Sequence, residues 1–439
     1  MVLSREVVIT GVGVVCPIGV GQDAVWASLV EGRSGVRSLG WFGDPAKGPL
    51  GATVTGFEPA KFVRPRKNLK VMSRDIQFGV AAADMACAES GVVGHVDPER
   101  FGVLYGADMI AADLDELAPA YRACMDDGEF SFEGWGQKAL ADMFPLWMLK
   151  YLPNMPACHI AIAQDARGPN NSLTMSEVSS LAAFLEAADA IRRGVVDVMI
   201  AGGASSRVHP TVYMHNLGRE MSRRCEDPAS ACRPFDAQRD GMVYGEGAAA
   251  VVLESRAHAE SRGAGDKILA TLVAGASAFE PWKKPGQKGT QGGSQGQSQS
   301  DWRIEGASIR TALRTVLQRS GLSAGDVGHV NAHGLSTALD DRVEAQAIRD
   351  VLGDVPVTAP KSSFGNLGAA CGAVETVVSL LALRRGLIPP TLNYTQPDPA
   401  CPVRVVCGKP APIGRKTAVL LNHTFTGQAV AMMLSAENQ

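Results

Sequence analysis

The chain has 439 residues, 46% of them hydrophobic, 20% charged and 6% aromatic, with 48 glycines. That is the balance of a folded globular protein able to bury a large core without disulfide staples. The 42 Lys plus Arg nearly cancel the 45 Asp plus Glu, which excludes a global field that would recruit nucleic acid or an anionic membrane.

In chain order, MVLSREVVITGVG runs directly into a strand-like segment, with no basic stretch leading a long apolar one. No later stretch reaches about 18 uninterrupted apolar residues. A cytoplasmic location without an integral membrane segment is the expectation. Gly11-Val12-Gly13 follows a strand, but Cys16 stands where the dinucleotide fingerprint G-x-G-x-x-G needs its third glycine, so no dinucleotide site is assigned. AVWASLVEG then reads as a helix and FGVLYGAD as a strand. Leu181, Phe184, Leu185, Ala188 and Ile191 share one face of a helix over 179–194 that stops at Gly194, and 197–203 reads as a buried strand.

A second series starts near Lys267: KILATLVAGASA, VGHVNAHG, VPVTAPKSS, a helix over 369–386, then TAVLLNHTF and AVAMMLSA. The order of elements echoes the first series and suggests an internal duplication, divided into 1–255 and 256–439. Between these runs, 281–300 is almost pure Gly, Gln, Ser and Lys and reads as a solvated loop. The nine cysteines form no C-x-x-C pair and read as buried reduced thiols. His159, His209, His215 and His423 lack metal-ligand spacing, so no metal is assigned.

Several stretches together resemble the β-ketoacyl-acyl-carrier-protein synthases of the elongating type, in the thiolase superfamily. They are REVVITGVGVVCPIG, VDVMIAGGASS, RPFDAQRDGMVYGEGAAAVVLE (233–254), VNAHGLSTALDDRVEAQAI (330–348), APKSSFGNLGAACGAVE (359–375) and IPPTLNYTQPDP (388–399). The resemblance implies an α/β fold of five layers, αβαβα, built from two βαβαβαββ halves and usually dimeric. It also implies acyl or malonyl groups delivered on the phosphopantetheine of an acyl carrier protein, with no other cofactor.

The family's chemistry uses a cysteine at a helix N-terminus and two histidines. Eight residues beyond Pro169 of the Arg167-Gly168-Pro169 run, the cysteine position is occupied by Glu177. The N-A-H-G histidine is His333, the second histidine is replaced by Asn366, and the lysine of that motif is Lys361, which the resemblance pairs with Glu344. The glycine-rich C-terminal motif has become T-F-T-G-Q-A-V, with Phe425 and Thr426 expected to support the pocket. Arg233, Asp236, Arg239 and Asp240 read as a charge network beneath the site or near the dimer edge.

A thiolate at a helix N-terminus is a nucleophile because the dipole lowers its pKa. A carboxylate there would form only a labile anhydride. Condensation is therefore expected to be absent. Malonyl decarboxylation, known in relatives with glutamine at this position, would require a protonated Glu177, because two carboxylates about 4 Å apart repel by roughly 4 kcal/mol at an effective dielectric of 20. Structurally, Glu177 reads as a first-turn acid behind Ser176 as N-cap, and Lys361 with Glu344 as a buried ion pair.

Two roles follow: a chain-length-factor-like subunit paired with an active ketosynthase, or a repurposed acyl-carrier thioester enzyme of decarboxylase, hydrolase or dehydratase type. The second would use Glu177, His333 and Asn366 converging in one pocket, with Asn366 able to donate an N–H to a thioester oxygen. Its partner in solution would be a second copy or an active synthase.

Overall fold

The computed structural model describes residues 5–41, 48–216, 218–282 and 304–437. Most of the 281–300 loop expectation therefore lies outside the described residues. Strand β1 (Val7–Cys16) starts the chain, followed by α1 (Arg74–Ser90), β2 (Phe101–Ala107), β3 (Asn170–Leu173), α2 (Ser179–Arg192), β4 (Val198–Ser206) and β5 (Tyr244–Ser255). The second series comprises β6 (Ala270–Phe279), α3 (Ala307–Ser320), β7 (His329–Asn331), α4 (Ala338–Leu352), β8 (Pro356–Thr358) and α5 (Cys371–Arg385). Short β9 (Arg404–Val405), then β10 (Thr417–His423) and β11 (Gln428–Ala436) complete it.

The strands lie in the order β9-β8-β7-β10-β11-β6-β1-β5-β4-β2-β3. The first five in sequence are thus arranged third, second, fourth, fifth, first. The later series, leaving aside the two-residue β9, repeats that arrangement as β8-β7-β10-β11-β6. The pairings repeat too: β2 is parallel to β3 and β4 as β7 is to β8 and β10, whereas β4–β5–β1 and β10–β11–β6 are antiparallel. The two runs meet where Val8 and Ile9 pair with Thr271 and Ala270.

Helices α2 and α5 pack in one core with residues of both runs, including Met199, Leu253, Leu420 and Met432. Helix α1 covers the outer face of the first run, and α3 and α4 cover that of the second. The layers are therefore αβαβα. Their cores explain the sequence patterns: every residue of α5 from Cys371 to Leu383 is buried, which is why that helix reads as apolar all round rather than amphipathic. Only Arg384 and Arg385 of its last turn reach solvent, where cations suit the C-terminal end of the dipole.

The glycine pair that mimicked a dinucleotide turn has a packing role instead. A Cβ at Gly11 or Gly13 would overlap the Ala86 or Ala82 carbonyl of α1, so glycine lets β1 approach this helix closely. Of the nine cysteines, six are buried, Cys158 and Cys225 are partly exposed and Cys407 is exposed; all are free. The expectation of uniformly buried thiols therefore fails at these three.

Candidate active site

Strand β3 leads through Met175 and a single 3-10 turn, Ser176–Val178, into α2. The turn buries Glu177 to 2% exposure. Ser176 is not the N-cap expected from the sequence. It takes a left-handed φ of 55° inside the turn, and its hydroxyl points at Glu177, donating to Oε2 at 2.6 Å. Ser179 ties the turn together: its Oγ accepts from the Met175 N–H at 2.8 Å and donates to the Ser176 carbonyl at 2.6 Å.

The other carboxylate oxygen, Oε1, accepts from Arg207 Nη1 at 2.5 Å and from Asn366 Nδ2 at 3.1 Å. Arg207 stands just past the end of β4. Its Nη2 donates to Ser176 Oγ at 2.8 Å, and its Nε donates to Asp108 Oδ2 at 3.0 Å. Asp108, following β2, also accepts from Ser205 Oγ and the Ala369 N–H. One guanidinium therefore lies between two carboxylates. Burial works to raise the Glu177 carboxyl, but the positive fields of Arg207 and Arg219 and the bonds from Ser176 and Arg207 outweigh it and hold it well below the usual carboxylate range.

Asn366 brings its remaining groups to the same cluster. Its Oδ1 accepts from the Gly368 N–H at 3.0 Å, and its amide nitrogen reaches both Glu177 and, at 3.6 Å, Met242 Sδ. The amide is committed to the protein, so the N–H expected for a thioester oxygen is already spent. Gly368 makes the enclosure possible. Its φ is +58°, and a Cβ there would overlap Asp108 Oδ2 and Arg207 Nε. Gly368→Ala is expected to cost about 1–3 kcal/mol by overpacking and to loosen the Arg207 clamp, read as a lower midpoint in denaturant unfolding.

His333 sits behind this cluster. It follows β7 and is fully buried, its Nδ1 facing Lys361 Nζ at 3.1 Å and Asn422 Nδ2 at 3.2 Å. Among the described residues it makes no hydrogen bond to Glu177 or Asn366, and its Nε2 has no hydrogen-bond partner. Glu177 and Asn366 are thus bonded directly to each other, and His333 stands behind them without a hydrogen bond to either. Burial first, then the charge of Lys361, hold its imidazole well below the ordinary histidine value.

The ion pair beneath it differs from expectation. Lys361 Nζ bonds Glu375 Oε1 of α5 and the His333 carbonyl, at 2.7 Å for the latter. Glu344 accepts instead from the backbone N–H groups of His333 at 2.6 Å and Gly334 at 2.8 Å. The reason is topological: Glu375 is the one charged residue of α5 within its buried span, and an acid there needs a cation.

Sequence reasoning missed His423, Asn422, Arg207, Arg219 and Asp108. His423 ends β10, and its ring centroid lies 4.6 Å from that of His333. Arg207 carried no motif signal beyond its place after the strand VDVMIAGGASS. Of the charge network in 233–240, Arg239 pairs with Asp398 at 2.6 Å, and Asp240 accepts from Ser222 at 2.8 Å.

A cavity of about 320 Å³ opens onto Glu177, Arg207, Arg219, His215, Tyr244 and Phe425. The Arg219 guanidinium stacks 3.9 Å from the Phe425 ring centroid, and the Phe425 carbonyl accepts from Trp282 Nε1 at 2.6 Å. Phe425 thus stands at the pocket, whereas Thr426 closes a turn through Thr424 Oγ1 at 2.7 Å.

The comparisons with known proteins bear on this architecture. Residues 4–259 match the model of the beta-ketoacyl synthase N-terminal domain, and 288–395 that of the C-terminal domain. The chain belongs to the beta-ketoacyl synthase family. It is 34% identical to the oxytetracycline polyketide putative beta-ketoacyl synthase 1 of Streptomyces rimosus over 406 residues, 91% of this chain and 89% of that protein.

Two solved structures extend the likeness. One, described as the ishigamide ketosynthase/chain length factor, superposes with a TM-score of 0.80 at 25% identity, covering 99% of this chain and all of the other. A second, AntDE:AntF, described as a type II PKS acyl-carrier protein in complex with its ketosynthase bound to the hexaketide, gives 0.77 at 27% identity, again covering 99% and 100%. The fold of this beta-ketoacyl synthase family member is the thiolase-like one, and no described helix is long and apolar enough to cross a membrane.

Proposed function

We propose that this beta-ketoacyl synthase family chain does not condense, and that it serves fatty-acid or polyketide-type assembly as a chain-length-factor-like partner of an active ketosynthase. The observation that carries this reading is the Glu177 clamp. The residue at the position where the family resemblance calls for a cysteine is buried, ionised and held by Arg207, Ser176 and Asn366. A carboxylate so neutralised is a poor nucleophile and a poor proton donor. It also leaves no protonated acid for the decarboxylase reading.

A partner surface is available. Strand β3 ends the strand order, with no further strand on its outer side among the described residues. The helix Met155–Gln164 packs against it and exposes Ile162 (74%), and the segment 109–154 exposes Phe132 (86%) and Met109 (72%). An open strand edge beside large apolar side chains is the usual mark of an interface. Acyl chains would reach the complex on the phosphopantetheine of an acyl carrier protein, as the AntDE:AntF likeness suggests, with no resident cofactor or metal in this subunit. Co-expression with candidate active synthases, followed by size-exclusion and mass analysis, is expected to give a one-to-one heterodimer. Recovery of homodimers alone would contradict the partner role.

A second reading keeps catalysis, and the unpartnered Nε2 of buried His333 favours it. In it the chain is a hydrolase or dehydratase acting on carrier thioesters through Glu177, His333 and Asn366. Turnover of 3-oxo, 3-hydroxy or malonyl carrier thioesters by the wild type, lost in Glu177→Gln, would establish it over the first.

A further inference from the structure

A second cavity, of about 310 Å³, lies across Ser206 from the Glu177 cavity; Ser206 lines both. Its wall carries Arg74, Asp75, Glu116, Lys150, Tyr151 and His209. Nearly all of these polar groups are spent on one another. Arg74 grips Glu246 through two nitrogens at 2.7 and 2.6 Å. Lys150 pairs with Glu116, which also accepts from the Tyr151 hydroxyl at 2.8 Å. His209 Nδ1 accepts from the Thr211 N–H at 3.2 Å, capping its own short helix.

Asp75 is the exception. It is 6% exposed, and its carboxyl accepts from its own backbone N–H and, at Oδ1, from the Ser206 N–H at 2.6 Å. Among the described residues neither a cation nor a side-chain donor reaches its carboxyl, and the charged neighbours that act on it, Glu246 and Asp108, have its own sign. An acid in the first turn of α1 benefits from the helix dipole, but an exposed acid would gain the same without the cost of burial. Burial pushes the Asp75 carboxyl up to about 7, as befits a group lacking its counter-ion.

We propose that this cavity binds a primary ammonium group on a short alkyl arm, with the Asp75 carboxylate as counter-ion and hydrogen-bond acceptor. The apolar side chains of Met72, Ala111 and Val208 line the same space and suit the arm. A volume at the lower end of small-molecule pockets fits roughly four to six carbons. An anion is excluded by charge, because both cations on the wall are already paired. A divalent metal is disfavoured because no three His, Cys, Asp or Glu side chains converge among the described residues. The site is separate from the Glu177 clamp and does not depend on the role proposed for it.

Calorimetric titration of the full chain with hexylammonium, hexanoate and hexanol tests the site. Saturable binding of hexylammonium alone is expected, weakened at least 10-fold in Asp75→Asn. Equal binding by Asp75→Asn, comparable binding of hexanoate, or no saturable binding of hexylammonium at millimolar concentration would overturn the proposal. Should Asp75→Asn fail to fold, crystals of the wild type soaked in hexylammonium decide: the nitrogen beside Asp75 supports the site, and its absence there refutes it.

Discussion

Arg207→Met is expected to destabilise the protein by about 3–5 kcal/mol, the cost of leaving buried charge without its partner. Two carboxylates lose their shared cation, Glu177 at 2.5 Å and Asp108 at 3.0 Å. Glu177 suffers more, its side chain being 3% exposed against 18% for Asp108. The loss has a pH signature. Because Glu177 is held below its unfolded value, its contribution is present above the ordinary glutamate value of about 4.3 and disappears as the pH falls through the lower folded value. Arg207→Met should therefore lose stability most at neutral pH and show a flatter acid limb than the wild type. Denaturant unfolding at pH 7 and pH 4 measures both effects. Adding Glu177→Gln to Arg207→Met should recover part of the loss, since it removes the orphaned charge; a double variant no more stable than the single would refute the clamp.

Lys361→Met is the second large effect, again about 3–5 kcal/mol. It strands Glu375 at 1% exposure and removes a donor to His333. Glu375→Gln should be severe as well. Glu344→Gln should cost less, about 1–3 kcal/mol, because it weakens backbone hydrogen bonds rather than orphaning a charge. Lys361→Met with Glu375→Leu should regain much of the stability, as replacing a whole buried pair often does. If instead Lys361→Met were rescued by Glu344→Leu and not by Glu375→Leu, the pairing would be the one the family motif suggested.

Much of the fold was legible because its signals are local. Alternating apolar runs gave β4, β6, β10 and β11, and Gly194 marked the end of α2 with a positive φ of 73°. Spacing from Gly168-Pro169 led to Glu177, and motif matching led to His333, Asn366 and Lys361. What the sequence hid is contact between distant segments. Arg207 and Glu177 are 30 residues apart, Asn366 and Glu177 189 apart, and neither pairing has a periodicity. Glu344 was assigned to Lys361 from the family resemblance, whereas Glu375 reaches Lys361 from another layer. His423 was set aside as lacking metal spacing, which says nothing about ring stacking.

The clamp also changes how the Glu177 position is understood. A carboxylate at a helix N-terminus could have been a poised acid raised by burial. Arg207 instead holds the carboxyl below its ordinary value, and the Asn366 amide expected to serve a thioester donates to Glu177. The pocket beside it has Arg219 stacked on Phe425 and Glu177 in its lining.

Exposure of the purified chain to an acyl-carrier thioester, followed by intact-protein mass spectrometry, tests this most directly. An unmodified mass is predicted, in the presence or absence of a partner synthase. A stable acyl adduct mapped to the 168–180 segment would contradict the account.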